Sequence, residues 1–149
     1  MRTSWVLKSF NDLTPHELYA ILQLRIEVFI VEQQCAFQDA DNKDQLSYHF
    51  MAWNEDTLAA YTRLVPANVS FKEISIGRVV TASQFRNAGL GKELMKQSID
   101  SIWKLWNKQP IRIGAQLYLK SFYESLGFEQ ASDMYLEDDI EHIEMLLSI

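Results

Sequence analysis

The sequence has 149 residues, the length of one ordinary domain, so we expect a single domain over residues 1–149 with one hydrophobic core. Hydrophobic residues make up 48% of the chain, with only 5 glycines and 3 prolines, which excludes a disordered or repetitive protein. The net charge of -6, from 20 acidic and 14 basic side chains, argues against nucleic acid as a principal partner and mildly favours a cationic one such as an amine.

The cysteine count and the hydropathy of the sequence indicate whether to expect a disulfide, a bound metal or a membrane-spanning segment. The single cysteine, Cys35, rules out an internal disulfide, and no Cys/His spacing of the zinc type occurs, so we expect no metal. We interpret Cys35 as a small buried residue. No apolar run approaches the roughly 20 residues of a membrane span, and residues 1–5 do not open a signal peptide. These features predict a cytoplasmic protein with no membrane partner.

The N-terminal region is predicted to contain a strand and then a helix. Residues 4–8 form the strand, and Thr14, Pro15 and Glu17 mark a helix start as N-cap, first helical residue and capping-box partner. Apolar residues follow at helical spacing, but Arg25 falls on the same stripe. Arg25 is either a paired or snorkelling structural arginine, or a residue of the substrate cleft.

A polar segment rich in carboxylates spans residues 32–44. Glu32 and Asp39 in this segment are candidates to attract an amine or to accept its proton. The alternative is that each belongs to a solvated loop, since long loops in compact domains are commonly either functional or mobile.

Three strands are predicted in the centre of the chain. Residues 48–53 and 58–65 form a hairpin through turn-forming residues, and a further strand covers residues 73–81. Gly77 lies inside that strand, where an isolated glycine often marks a bulge or a close backbone approach.

Residues 86–91 fit the pattern R-x-x-G-x-G directly after this strand and before a long helix. A helix that emerges from a loop of small residues leaves backbone N–H groups free, and these groups bind phosphate. A Walker A loop is not matched because Glu93 follows Lys92, and a dinucleotide-binding loop is not matched because Leu94 replaces its third glycine. The remaining alternative is a glycine-rich helix entrance that binds no ligand.

The C-terminal half contributes two helices and three strands. We expect helices at 90–104 and 119–126, the second ended by Gly127, and strands at 111–115, 134–136 and 142–147. The resulting order β-α-β-β-β-α-β-α-β-β predicts an α/β fold.

Two motifs in the sequence resemble those of a known protein family. The glycine loop at residues 86–91 resembles the pyrophosphate loop of GNAT N-acetyltransferases, and residues 122–128, FYESLGF, resemble the F-Y-E-x-L-G-F signature of that superfamily. More narrowly, residues 25–35 and 135–143 resemble its ElaA-like branch. The resemblance covers the whole chain and implies the GNAT acyl-CoA N-acyltransferase fold, a mixed, mostly antiparallel sheet with helices on both faces.

The resemblance implies acetyl-CoA as co-substrate, and it also implies the residues that bind it. These are Val79, Val80, Thr81, Arg86, Asn87, Ala88, Gly89, Leu90, Gly91, Lys92 and Gln116.

The sequence departs from the family pattern at four positions. Asn87 replaces a glycine of the loop, Ser83 replaces a frequent proline, and Gln116 replaces an asparagine before the F-Y-E helix. Ser75 stands where the family often has a glutamate base, so that base position is empty.

Acetyl transfer to an amine requires a neutral amine, a stabilised thioester oxygen and a proton donor for the departing thiolate. By resemblance Tyr123 is the donor. His142 is the candidate base, with Glu32, Glu73, Asp39 and bulk water as alternatives, and with a structural histidine as the non-catalytic interpretation. Arg25, Glu32 and Asp39 are the candidate substrate residues.

We therefore expect an acetyl-CoA-dependent N-acyltransferase that acts on a primary amine of a small molecule or peptide. Two alternatives stay open: a non-catalytic acyl-CoA-binding or regulatory domain, and an enzyme similar to acyl-homoserine-lactone synthases. A homodimer is compatible with the sequence.

Overall fold

A computed structural model describes residues 2–149; Met1, which belongs to the predicted domain, lies outside the described range. Within that range the strands are β1 Ser4–Ser9, β2 Tyr48–Asn54, β3 Thr57–Val65, β4 Ser75–Thr81, β5 Ile111–Gln116, β6 Glu129–Gln130, β7 Tyr135–Glu137 and β8 Ile140–Leu147. The α-helices are α1 Pro15–Arg25, α2 Leu90–Trp106 and α3 Lys120–Glu124.

The strands form two four-stranded antiparallel sheets. The first has the order β1-β2-β3-β4, and the second has the order β5-β8-β6 with β7 also paired to β8. The sheets meet at one parallel bridge, Ile74 to Ile111, where the Arg112 N–H donates to the Ile74 carbonyl over 2.9 Å. Beyond this bridge β4 and β5 continue in separate sheets, so a cleft opens between them. The predicted mostly antiparallel α/β fold is confirmed.

The helices cover both faces of the first sheet, because successive strand residues point to opposite faces. Met51 packs in a cluster with Ile21 and Leu24 of α1. Its neighbours Phe50 and Ala52 belong instead to the cluster that contains the buried stripe of α2.

The predicted start of α1 is confirmed as a complete capping box. The Glu17 N–H donates to Thr14 Oγ1, and the Thr14 N–H donates to the Glu17 carboxylate. The helix does not stop at Arg25, however. It continues as a wider π-helix over Ile26–Glu32, ended by backbone bonds with five-residue spacing such as Cys35 N–H to the Ile30 carbonyl.

Strand β4 contains a bulge next to Gly77, the glycine that indicated a bulge or a close backbone approach in the sequence. Tyr61 of β3 pairs with Val80, but Arg63 pairs with Gly77, so two residues of β4 face one of β3. Arg78 occupies the bulge with φ of 51°, a conformation that is unusual for a residue with a side chain. The strand β6 and its two exposed residues were not predicted, because so short a segment has no readable alternation.

Candidate active site

The cleft between β4 and β5 has a volume of about 1140 Å³. One end is formed by the C-terminal half of β4 and the start of α2, and the other by β5, β7, β8 and the segment after the π-helix. Because β4 pairs with β3 on one side only along this stretch, its other edge offers backbone groups to the cleft.

The start of α2 is open, with no side-chain cap from the described part of the chain. Its N-cap, Gly89, has φ of 76° and ψ of 5°, and no side chain among residues 2–149 caps it by a hydrogen bond. The first backbone N–H groups of the helix are therefore free, and the helix dipole adds positive potential there. Asn87 has φ of 66°, a left-handed conformation that asparagine adopts more readily than most residues. Asn87 is thus a workable replacement for the glycine of the family pattern.

The predicted CoA-binding residues are mostly brought together. Ala88 and Lys92 do not line the cleft, because the turn and the first turn of α2 direct them elsewhere. The others line it: Val79, Val80, Thr81, Arg86, Asn87, Gly89, Leu90, Gly91 and Gln116.

Arg86 lies at the mouth of this end and is already paired. Its Nε donates to the Thr81 carbonyl over 3.1 Å, and its terminal nitrogens form an ion pair with the Glu32 carboxylate. The guanidinium lowers the pKa of Glu32 below its ordinary value. Glu32 therefore lines the cleft as the ion-pair partner of Arg86, beside the start of α2.

Tyr123 is 5% exposed and reaches the cleft from α3. Its ring packs edge-to-face on Phe122 and Phe128, at centroid distances of 5.1 and 6.0 Å. Burial raises the pKa of its hydroxyl well above the ordinary value of 10.0, so the group keeps its proton. Within residues 2–149 the hydroxyl has no hydrogen-bond partner, and it is available to donate to a ligand.

His142 also lines the cleft, and its orientation is fixed by the backbone. Nδ1 lies 2.8 Å from the Ile140 carbonyl, which can only accept, so Nδ1 carries a proton. In the neutral ring Nε2 is then the basic nitrogen, and it lies 3.5 Å from Glu137 Oε2. Tyr135 stacks on the ring at a centroid distance of 5.9 Å.

Gln116 lies directly opposite His142 in the β5–β8 register. Its Nε2 donates to Gln33 Oε1 over 3.3 Å, which connects β5 to the end of the π-helix. The two predicted site residues therefore stand side by side on one face of the second sheet.

Arg25 and Asp39 are placed away from the cleft, contrary to their prediction as substrate residues. Arg25 is 0% exposed and donates from Nε to Asp39 Oδ2 over 2.9 Å and from Nη1 to Asp44 Oδ1 over 2.8 Å. A fully buried guanidinium with two carboxylate partners has no free group for a substrate. This placement supports the structural interpretation of Arg25.

The segment that carries Asp39, Asp41 and Asp44 is anchored to the rest of the domain, unlike the solvated loop that was the alternative for Asp39. Asp39, Asp41 and Asp44 bind three arginines from three elements, Arg25 of α1, Arg63 of β3 and Arg78 of β4. Two buried arginines within apolar segments, Arg25 and Arg63, and three aspartates within six residues were the signal that the sequence carried for this network.

Two further residues differ from expectation. Cys35 is only partly buried and lines the cleft, because its segment follows the cleft rim rather than the core. Glu73, an alternative base, does not line the cleft, since Arg112 binds both of its oxygens at 3.1 Å. The sequence also did not single out Phe71, Tyr135, Glu137 and Glu144, which line the second half of the cleft.

The splayed sheets and the open helix start define an acyl-CoA N-acyltransferase fold. Residues 12–149 match the family model of the acetyltransferase (GNAT) domain, and the chain belongs to that family. Members of this family are acyltransferases that use acyl-CoA as co-substrate.

Comparison with individual proteins shows which members of the family this chain resembles. The chain is 36% identical over 143 residues to protein ElaA of Escherichia coli, covering 95% of this chain and 94% of that protein. It is 40% identical to a UPF0039 protein of Schizosaccharomyces pombe, covering 97% of both.

An acyl-CoA N-acyltransferase from Pseudomonas aeruginosa superposes with a TM-score of 0.94 at 42% identity, covering 99% of this chain and 100% of that one. The ElaA crystal structure superposes with a TM-score of 0.91 at 35% identity, covering 97% and 99%. The predicted ElaA-like membership is confirmed. Over residues 2–149, moreover, none of the helices has the length and apolar character needed to span a bilayer.

Proposed function

We propose that the protein transfers an acetyl group from acetyl-CoA to a primary amine of a small molecule or peptide. The observation that carries this proposal is the shared cleft: the uncapped start of α2 and the unpaired edge of β4 open into the same space. A diphosphate bound at the first would direct an acyl-pantetheine arm along the second. The solved structure described as an acyl-CoA N-acyltransferase, 42% identical, supports the same donor class.

The amine has to lose a proton before it can attack, because an ammonium nitrogen has no lone pair. His142 is the proposed base, since its Nδ1 proton is committed to the Ile140 carbonyl and its Nε2 is left as acceptor. The amine nitrogen then forms a bond to the acetyl carbon, and the thioester oxygen gains negative charge.

Backbone N–H groups on the open edge of β4 are the proposed donors to that oxygen, near Val79 to Thr81. When the carbon–sulfur bond breaks, the Tyr123 hydroxyl donates a hydrogen bond that stabilises the departing thiolate. The nitrogen loses its second proton to solvent, and the thiolate takes a proton from solvent as CoA leaves. The raised pKa of Tyr123 suits this role, because the hydroxyl is still protonated when the thiolate leaves.

The remaining cleft residues are assigned to the donor. Val79, Val80, Thr81 and Gln116 are proposed to contact the pantetheine arm, and Arg86 to bind the diphosphate. Glu32 is proposed to hold Arg86 in place until the donor binds.

Calorimetric titration with acetyl-CoA, followed by thiol release against a panel of primary amines, tests the proposal. We expect binding in the micromolar range, amine-dependent release of CoA and an acetylated amine by mass spectrometry. Absence of binding at millimolar acetyl-CoA contradicts the proposal, and binding without turnover of any amine favours the non-catalytic alternative.

A further inference from the structure

The second half of the cleft, beyond His142, presents one face of the second sheet. Gln116, His142 and Tyr135 form a row across β5, β8 and β7, because each is the register partner of the next. Gly114 and Glu144 are partners in the neighbouring row. Glu144 is two residues from His142 on the same strand, so the two side chains share this face about 7 Å apart along the strand.

Two aromatic side chains converge on this row because Gly114 has no side chain. A Cβ at Gly114 would lie 3.2 Å from Tyr135 Oη and 3.9 Å from Phe71 Cζ. The glycine therefore lets both rings close over β5. Phe71, Tyr135 and Glu144 all line the cleft, and burial raises the pKa of the Tyr135 hydroxyl, with smaller contributions from the Glu137 and Glu144 carboxylates. Gly114, beside which the Tyr135 hydroxyl lies, is the register partner of Glu144, so the ring and the carboxylate are neighbours on this face.

This half of the cleft carries a net negative charge. Arg112 is shared by two carboxylates, those of Glu73 and Glu144, and Glu144 uses only Oε1 in that contact. Among residues 2–149 its Oε2 accepts no hydrogen bond. Glu137 and Asp138 add negative charge, and Lys43 adds one positive charge.

The charged groups of the rest of the cleft are paired with one another. Arg86 is paired with Glu32, and Arg63 and Arg78 with the aspartates of the anchored segment. The excess negative charge therefore lies at the end of the cleft away from α2.

We infer that the acceptor carries a second cationic group, an ammonium or guanidinium, which binds between Phe71, Tyr135 and Glu144 while its reactive amine lies at His142. This inference rests on the proposed function and names the substrate class of that site. Aromatic faces beside a carboxylate are a favourable environment for an organic cation. The spacing of about 7 Å between Glu144 and His142 suits a diamine with four or five methylene groups. The second group keeps its charge during the transfer.

Three amines of equal length test the inference: 1,5-diaminopentane, hexylamine and 6-aminohexanoate. They carry a cation, a methyl group and an anion at the far end. We expect kcat/KM for the diamine to exceed that for hexylamine by about tenfold or more, with 6-aminohexanoate the poorest substrate. A diamine-to-hexylamine ratio of kcat/KM near one, or a higher kcat/KM for either of the other two amines than for the diamine, overturns the inference.

Variants assign the preference to named residues. We expect Glu144→Gln to reduce the diamine-to-hexylamine ratio at least about fivefold. Glu141→Gln removes the same charge from an exposed position of the same strand that does not line the cleft, and should keep the ratio. An unchanged ratio in Glu144→Gln overturns the inference.

Folding failure is controlled by a second variant. In Glu144→Gln, Arg112 still binds both carboxylate oxygens of Glu73, so the arginine keeps a partner. Phe71→Leu removes an aromatic ring without changing the charge, and its diamine-to-hexylamine ratio of kcat/KM should also fall severalfold. Turnover of all three amines without preference contradicts only this inference, whereas absence of acetyl-CoA binding contradicts the proposed function.

Discussion

Arg78 and Asp39 join the bulge of β4 to α1. Arg78 Nε donates to Asp39 Oδ1 over 2.9 Å and its Nη2 to the Asp39 carbonyl over 3.0 Å, while Asp39 Oδ2 accepts from Arg25. The unusual φ of Arg78 costs free energy that these contacts offset. The bulge lies directly before Val79, so this ion-pair chain positions the strand edge proposed to stabilise the thioester oxygen.

Asp39→Asn should therefore affect both stability and turnover. Breaking a buried ion pair leaves a poorly compensated guanidinium, and we expect a loss of about 3 kcal/mol in the free energy of unfolding. Turnover should fall more than acetyl-CoA affinity, because the strand edge shifts while the start of α2 stays intact. Urea unfolding and steady-state kinetics measure the two effects. Asp56→Asn, in an exposed turn, is the control, and equal unfolding midpoints for both variants would refute the prediction.

Arg86 and Glu32 should have opposite effects on CoA affinity. Glu32 competes with a diphosphate for the same guanidinium, so Glu32→Gln should tighten CoA binding severalfold at low salt. Arg86→Ala should weaken it by about tenfold or more, because a charged hydrogen-bond donor is lost. Calorimetry at two salt concentrations measures both, and weaker binding in Glu32→Gln would show that this carboxylate does not compete.

Gly91→Ala and Gly89→Ala separate folding from binding. An added Cβ at Gly91 would meet only Thr81 Oγ1 at 3.8 Å and Phe122 Cζ at 4.0 Å, so the fold should accept it with equal or slightly higher stability. The methyl group would nevertheless crowd the free N–H groups, and we expect about tenfold weaker CoA binding.

Gly89 has open space around its Cβ position but a left-handed φ, so Gly89→Ala should lose about 1 kcal/mol of stability. Thermal unfolding with and without CoA measures both variants. Unchanged CoA affinity in Gly91→Ala argues against a diphosphate at this helix end.

Tyr123 should set no alkaline limit on the reaction. Burial raises the pKa of Tyr123 above 10.0, so the donor stays protonated as pH rises. The rate should increase with pH as the amine loses its proton, and then level off. Tyr123→Phe should lower kcat at least about a hundredfold with little change in KM for acetyl-CoA. Tyr19→Phe, 71% exposed on α1, is the control; wild-type kcat in Tyr123→Phe would remove the residue from the mechanism.

The buried network predicts a two-step loss of stability in acid. His49 belongs to this network, since it is fully buried and its Nε2 lies 2.8 Å from the Asp44 carbonyl. Burial lowers the pKa of His49 below 6.5, so the unfolded chain gains a proton first and stability falls as pH drops below about 6.5. Burial opposes ionisation of Asp44, but Arg25 and Arg63 more than offset it and hold its pKa below the ordinary 3.8.

Stability from that carboxylate is therefore present above about pH 3.8 and is lost as pH falls through the lower native pKa. Chemical denaturation between pH 7 and 2 follows the first step and the onset and course of the second. Asp44→Asn should flatten the lower step, and an unchanged profile in that variant would contradict the assignment.

Features that depend on interactions between residues close in sequence could be predicted from the sequence alone. Thr14 and Glu17 specify a helix start whatever surrounds them, and the glycines at 89 and 91 specify a helix end with exposed N–H groups. Strand alternation and the F-Y-E motif likewise depend on neighbours in sequence. The order of elements, the family and the uncapped helix start at one end of the cleft were therefore available from the sequence.

Long-range contacts decided the remainder. Whether Arg25 meets a substrate or Asp39 depends on how a segment 14 residues further along folds back, and no local pattern encodes that path. Glu144 became a candidate acceptor contact only because β8 pairs with β5 and Gly114 lets Tyr135 and Phe71 approach. Sequence fixes interactions within a few residues, whereas burial and charge pairing between distant segments follow from packing, and packing assigns these side chains to core or cleft.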